Sequence, residues 1–364
     1  MSLASAIASV VALALAAGLA YQRLGTARDT RHMPPPGRLV PVGRGRLHVH
    51  CMGSGTPPVV FESGIAASSL NWTEVQREVA AVTAACAYDR SGLGWSEAGH
   101  EAPTAAHACT QLRALLNAAG IPPPYVLVGH SFGAYVLLLF AARHPEDVAG
   151  MVLLDPLTVE DWSRPTAARL RTLRGGALFA RIGAGLAAVG VVRFCLDRFA
   201  AGSAAWGRHV LAMFGVAASE VVLRIVGEVG KMPPDAWPAI RAHWSRPRSF
   251  LAMSRHLLAL PASAIEVEAA LRDAPPWAFP LAVLTSETSG VGPDPQRKLA
   301  ARSTGGLHVI VPGAGHWVHL DAKMVVVETI RRVVEMARAS PLAPVPDPPP
   351  RPFGLMVRPD DRPQ

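Results

Sequence analysis

Apolar and polar positions divide the chain into distinct regimes. Ser2 to Ala20 carry no charge and are mostly Ala, Leu, Val and Ile. At about 1.5 Å per helical residue, such a run just crosses a hydrocarbon core of about 30 Å. After a joint at Pro34, Pro35 and Pro36, apolar runs of strand length alternate with stretches of helical period. Strands are expected at 39–42, 46–51, 59–62, 84–88, 125–128, 150–154, 281–284 and 308–311, and helices at 71–82, 105–119, 133–143 and 321–339. The turn Gly43-Arg44-Gly45 suits an antiparallel hairpin. From Val59 onward the alternation predicts an α/β fold, a mostly parallel sheet with helices on both faces. The run 125–128 is almost wholly apolar, as in a central strand covered on both sides. Between 157 and 276 the alternation stops, and helices are expected at 167–173, 178–199, 218–229, 234–244 and 250–260. Residues 340–364 contain nine prolines and read as a disordered or polyproline-like tail.

Half of the 364 residues are apolar, enough for a sizeable core. The net charge is +8. Residues 156–276 hold fifteen Lys or Arg against nine Asp or Glu, so most of the surplus lies in that insertion. Diffuse arginine without interleaved aromatics gives no nucleic-acid signature. Attraction to anionic lipid fits better beside an apolar N-terminus, although arginine also serves as an ordinary solubilising residue. The apolar run 1–22 is expected to be a membrane anchor, with an export signal or a peripheral helix as the alternatives. Arg23 and Arg28 follow the run and none precedes it, so the charge rule keeps the bulk of the chain cytoplasmic, with export as the alternative. Cys51, Cys86, Cys109 and Cys195 have no metal-ligand spacing, and free thiols are expected.

The strongest chemical signal is Gly129-His130-Ser131-Phe132-Gly133, lying between an apolar strand and a helix. A serine on such a turn is exposed in a strained backbone, and the flanking glycines avoid collisions with strand and helix. Its hydroxyl needs a neighbouring base. The last strand runs into Pro312-Gly313-Ala314-Gly315-His316, whose glycines let the loop carry His316 back over the sheet. His319 is the competing base, expected at the start of the last helix, and His130 is expected to be structural or pocket-lining.

These motifs resemble those of the α/β-hydrolase superfamily, over about Arg38 to Arg338. Asp89-Arg90-Ser91-Gly92-Leu93-Gly94-Trp95-Ser96 is similar to the family's D-x-x-G-x-G-x-S segment, and Gly313-Ala314-Gly315-His316 to its histidine loop. The resemblance implies the α/β-hydrolase fold: an eight-stranded, mostly parallel sheet over 38–156 and 277–339, with a helical cap at 157–276. It implies Ser131 as nucleophile, where family members that open epoxides or displace halide carry aspartate. The oxyanion donors would be the N–H groups of Phe132 and Ile65, in Ser63-Gly64-Ile65 where relatives usually have His-Gly. The family's aspartate after the seventh strand corresponds to Ser289 here, which leaves the triad acid open. Asp155 at the end of the sixth strand is the expected acid, with Glu287 in the expected loop as the alternative and Asp294 further off. The resemblance also brings Cys51 and Cys86 onto neighbouring strands, where a disulfide is an alternative to the expected thiols.

The expected activity is hydrolysis of a small-molecule carboxylic ester or related acyl substrate through an acyl-enzyme, needing no cofactor and no metal. A peptidase, amidase, thioesterase or perhydrolase on the same triad is an alternative. So is a catalytically inactive, membrane-anchored binding protein.

Overall fold

In the computed structural model, residues 2–200, 230–288 and 293–339 are described, with backbone only for 199–200. The expected helix at 218–229 and the proline-rich tail lie outside them.

The eight strands are β1 (Arg38–Val42), β2 (Gly45–Met52), β3 (Val59–Glu62), β4 (Ala85–Tyr88), β5 (Tyr125–His130), β6 (Val148–Leu154), β7 (Leu281–Ser286) and β8 (Leu307–Val311). They form one sheet in the order β1-β2-β4-β3-β5-β6-β7-β8. β2 is antiparallel to β1 and β4, and every later pairing is parallel. Every residue of β3, β4, β5, β6 and β7 is buried, as a sheet covered on both faces requires.

The helices are α1 (Leu3–His32), α2 (Thr73–Val79), α3 (Ala105–Ala118), α4 (Gly133–Arg143), α5 (Val159–Ser163), α6 (Ala167–Ala188), α7 (Val191–Ala200), α8 (Trp237–Trp244), α9 (Pro247–Asp273), α10 (Pro293–Ala300), α11 (Val318–Asp321) and α12 (Lys323–Ala339). One core cluster joins the sheet to α3 and α4, and a second joins its other face to α2 and α12. α4 is buried from Gly133 to Ala141, so it can consist almost wholly of apolar residues. The helices between β6 and β7 stand at the carboxyl ends of the parallel strands, above the β5–α4 turn.

Several elements differ from the sequence expectation. The helix expected at 178–199 breaks at Gly190 (φ +79°), and α6 and α7 meet at 86°. α9 runs through Pro261 and extends the expected 250–260 to 27 residues. α1 continues ten residues past the expected 22, because its second half docks on the helical insertion: Asp29 forms an ion pair with Arg193 (2.7 Å), each 2% exposed. The helix expected at 71–82 opens with a 3-10 turn, Ser69–Trp72, and α2 stops at Val79. Cys51 and Cys86 correct the expectation of free thiols. They face each other in the β2–β4 register, Cα–Cα 4.0 Å, and form a disulfide. Cys109 and Cys195 remain thiols.

Candidate active site

β5 ends at His130 and α4 begins at Gly133, leaving Ser131 and Phe132 to turn the chain through a sharp corner. Ser131 takes φ +54°, a left-handed conformation costly for a residue with a Cβ. Its N–H donates to the Leu154 carbonyl of β6 at 3.0 Å. A Cβ on Gly129 would lie 2.8 Å from Leu137 Cδ1, and one on Gly133 2.5 Å from the Glu62 carbonyl. Neither position admits a side chain without moving β3, β5 or α4.

The histidine loop leaves β8 and turns at Gly313, φ +68°. It brings His316 Nε2 to 3.0 Å from Ser131 Oγ, and His316 Nδ1 to 2.6 Å from Asp155 Oδ2. Asp155 follows the last residue of β6 and also has positive φ, +43°. Its N–H donates to the Leu284 carbonyl at 2.7 Å, and its Oδ1 accepts the Ser286 N–H at 3.1 Å. The carboxylate is therefore held by β7, with the second oxygen left for the imidazole.

Glu287 does not reach His316. β7 runs to Ser286, two residues past the expected 284, so Glu287 is carried onto the exposed turn and accepts the Gly313 N–H at 2.8 Å. It braces the histidine loop from outside. Asp294 is exposed and paired with Arg297. His319 is buried in α11 with its ring stacked 4.6 Å from Trp72, and burial brings its pKa down to about 3. His130 is buried, and burial holds it well below its ordinary pKa, with His316 and His319 adding to the effect. A carbonyl only accepts, so the 2.8 Å contact fixes the proton of His130 on Nε2, donating to the His316 carbonyl. His130 thereby supports the loop that carries His316.

The loop after β3 crosses the corner so closely that a Cβ on Gly64 would meet His130 Nδ1 at 2.9 Å and Ser131 Cβ at 3.4 Å. Ile65 comes next and lines the same cavity as Ser131. Phe132 is buried at the N-terminus of α4. Among the described residues, neither the Ile65 nor the Phe132 N–H donates to a protein carbonyl outside the regular elements. Above the corner lies a cavity of about 750 Å³, walled by apolar side chains that include Leu157, Leu173, Phe179, Met253 and Leu260.

A family model described as alpha/beta hydrolase fold matches residues 57–182. The uncharacterized protein YqjL of Bacillus subtilis is 38% identical over 107 residues, which is 29% of this chain and 42% of that protein. Lipase LipV of Mycobacterium tuberculosis is 51% identical over 53 residues, 15% of this chain and 20% of that protein. The chain thus spans less than half the length of these curated relatives. Among solved structures, a thermophilic esterase from Thermogutta terrifontis superposes with TM-score 0.57 at 19% identity, over 82% of this chain and 98% of that one. A putative epoxide hydrolase from Pseudomonas aeruginosa superposes with TM-score 0.60 at 21% identity, over 83% and 96%. The chain has the α/β-hydrolase fold, and its residues 57–182 match that family's model.

Within this fold the Asp89–Ser96 segment ties the sheet to the site. Asp89 accepts from His48 Nδ1 (2.8 Å), the Ser69 N–H (2.7 Å) and the Trp95 N–H (3.0 Å). Burial raises its pKa, but these bonds together outweigh burial and leave the carboxyl below its usual range. Arg90, to which the sequence reading gave no role, has the most direct effect on the site. It is buried, forms an ion pair with Glu62, donates to the Ser63 and Gly64 carbonyls, and touches His256 Nε2 at 3.3 Å. Glu62 also accepts from Tyr88, and burial raises its pKa against the pull of Arg90. Arg90 thus fixes the peptide plane whose next N–H is that of Ile65. A charged residue ending an apolar strand, Glu62 after Phe61, was the available sequence signal.

Proposed function

We propose that the chain is a serine hydrolase that cleaves carboxylic esters with an apolar acyl or alcohol part. The observation that carries this reading is the continuous line Ser131 Oγ, His316 Nε2, His316 Nδ1, Asp155 Oδ2, with spacings of 3.0 and 2.6 Å, at the floor of an apolar cavity. In the reaction, neutral His316 takes the proton of Ser131 as its oxygen bonds to the ester carbonyl carbon. The carbonyl oxygen, now negative, is held by the Ile65 and Phe132 N–H groups. The tetrahedral intermediate collapses, His316 returns the proton to the departing alkoxide, and an acyl-Ser131 ester remains. Water, deprotonated by His316, then repeats the sequence and releases the acid. Asp155 keeps the His316 proton on Nδ1 and stabilises the imidazolium while it exists.

The test is release of p-nitrophenol from esters of increasing acyl length. The reading expects turnover by the full chain, a kcat/KM that rises with chain length to medium acyl groups, and loss of turnover in Ser131→Ala. Turnover that survives in Ser131→Ala would refute it.

α1 is long and apolar enough to cross a bilayer, and its most apolar 18-residue window has no buried residue. We read it as a membrane anchor. The arginines that follow its apolar part favour the cytoplasmic side for the catalytic part. The Cys51–Cys86 disulfide supports a second reading, the oxidising side, because such bonds are rare in the cytoplasm. Protease protection in intact cells distinguishes the two sides.

A further inference from the structure

We propose that the outer face of α6 rests on an anionic phospholipid surface, and that the cavity behind α6 takes its ester from that bilayer. This rests on reading α1 as a membrane anchor and Ser131 as the nucleophile.

The first observation is the joint between anchor and cap. A Cβ on Gly18 would lie 2.3 Å from the Val189 carbonyl, so α1 is packed directly against the α6–α7 corner. Below that point Tyr21 donates to Asp197 at 2.6 Å, Gln22 Nε2 donates to the Ser245 carbonyl at 2.9 Å, and Asp29 pairs with buried Arg193. The uncharged run ends at Gln22, before Arg23, and nearly all of it is needed to cross about 30 Å of hydrocarbon. The membrane boundary therefore coincides with the docked part of α1, and no linker separates the bilayer from the cap.

The second observation is the composition of α6 and the exposure of its outer residues. It carries Arg169, Arg171, Arg174 and Arg181 and no acidic residue. Arg169 is paired with Asp161, while Arg171, Arg174 and Arg181 are exposed and form no salt bridge among the described residues. Between these cations Leu178 is 58% exposed and Ile182 51%, one turn apart on the same face. Apolar side chains interleaved with unpaired arginines suit the headgroup boundary of an anionic bilayer.

The third observation is what lies on the other side. Leu173, Gly176 and Phe179 of the same helix line the cavity that contains Ser131. One helix thus walls the acyl cavity and ends at the corner against which the anchor packs. An ester resident in the membrane would have a single helix to pass.

The test uses the full chain with Cys195→Ala and an environment-sensitive bimane on Ile182→Cys, reconstituted in vesicles of phosphatidylcholine with or without phosphatidylglycerol. A control label is placed on Glu146→Cys, at the opposite end of the sheet. Headgroup nitroxide lipid is expected to quench the label at 182 several-fold more than the label at 146. This difference is expected to be larger with phosphatidylglycerol and to fall at least twofold in Arg171→Gln/Arg174→Gln/Arg181→Gln. Equal quenching at 182 and 146, in chains that float with the vesicles, would overturn the proposal. So would a blue shift at 182 that follows protein concentration in detergent, which would assign the face to a second copy. Failure to float would reject the anchor itself, whereas failure of a fluorophosphonate to label Ser131 would reject the hydrolase reading and leave the quenching unchanged. For delivery from the bilayer, the triple arginine variant is expected to lose several-fold on a vesicle-borne long-chain ester and to keep its rate on a soluble butyrate. Equal change on both would refute that part.

Discussion

Replacing Asp155 by Asn keeps the size of the side chain and tests what its charge and acceptors do. Asp155 Oδ1 accepts the Ser286 N–H at 3.1 Å and Oδ2 faces His316 Nδ1 at 2.6 Å. An asparagine offers one acceptor where the carboxylate offers two. If its oxygen serves Ser286, its NH2 faces His316 Nδ1 and forces the imidazole proton onto Nε2, pointing at Ser131 Oγ. That tautomer cannot take the serine proton. If the amide flips, the tautomer is restored, but the NH2 then opposes the buried Ser286 N–H. An unsatisfied buried donor costs about 1–3 kcal/mol, so the competent form falls to roughly one part in ten to one in a hundred. The competent form has also lost the carboxylate that stabilises the imidazolium, worth about another 2–3 kcal/mol for a charge-assisted bond. Together these give a loss of about 10²–10⁴ in kcat, or roughly 3–6 kcal/mol of barrier. The assay is steady-state hydrolysis of p-nitrophenyl butyrate, with Glu287→Gln beside it and a thermal melt of each variant. Glu287→Gln is expected to stay within about threefold, because Glu287 holds only an exposed loop N–H. Asp155→Asn within tenfold of wild type, or a larger loss in Glu287→Gln, would refute the reasoning.

Removing the brace under the oxyanion loop by Arg90→Met, with Glu62→Gln to avoid a lone buried carboxylate, is expected to lower kcat by about 10–10² and to leave KM nearly unchanged. A proportional rise in KM with constant kcat would assign Arg90 to substrate binding. His243, His256 and His319 are each brought down to about 3, chiefly by burial, while in the unfolded chain they protonate near 6.5. Between these values the unfolded state binds more protons, so stability is complete above pH 6.5 and falls as pH drops toward 3. Urea midpoints at pH 7.5 and 5 are expected to show a marked loss at pH 5, and equal midpoints would contradict the buried neutral rings. The Cys51–Cys86 bond closes a loop with a sequence separation of 35. Cys51→Ala/Cys86→Ala is expected to lower unfolding free energy by about 3–4 kcal/mol, measured by denaturant titration.

The parts of the site legible in the sequence are those whose surroundings are fully buried. The β5 strand, the two glycines and α4 allow only apolar or Cβ-free residues at most positions, so the corner bearing Ser131 stands out from composition alone. The loop bearing His316 was legible because a proline and two glycines end an apolar strand. The acid was legible only as Asp155 with Glu287 as the alternative, since the decision between them depends on where β7 stops. Thr285 and Ser286 are polar and do not announce that the strand continues through them. The docking of α1 on the cap was hidden for a related reason. Gln22, Asp29 and Arg193 read as solvated charges or polar groups on helices, and only their mutual burial shows that they tie two distant segments together. Arg90 escaped because it lies inside a motif whose glycines and aspartate already explain the turn. Gly190 lies within an apolar, arginine-spaced stretch of helical period, and nothing local announces the 86° corner.

The central claim is that the Ser131 hydroxyl is activated by the imidazole 3.0 Å away. It is tested most directly by treating the full chain with a fluorophosphonate probe and mapping the adduct by mass spectrometry. The account predicts a single stoichiometric adduct on Ser131, absent in Ser131→Ala and slowed by orders of magnitude in His316→Ala. Labelling at another residue, or at Ser131 with the same rate after His316→Ala, would contradict it.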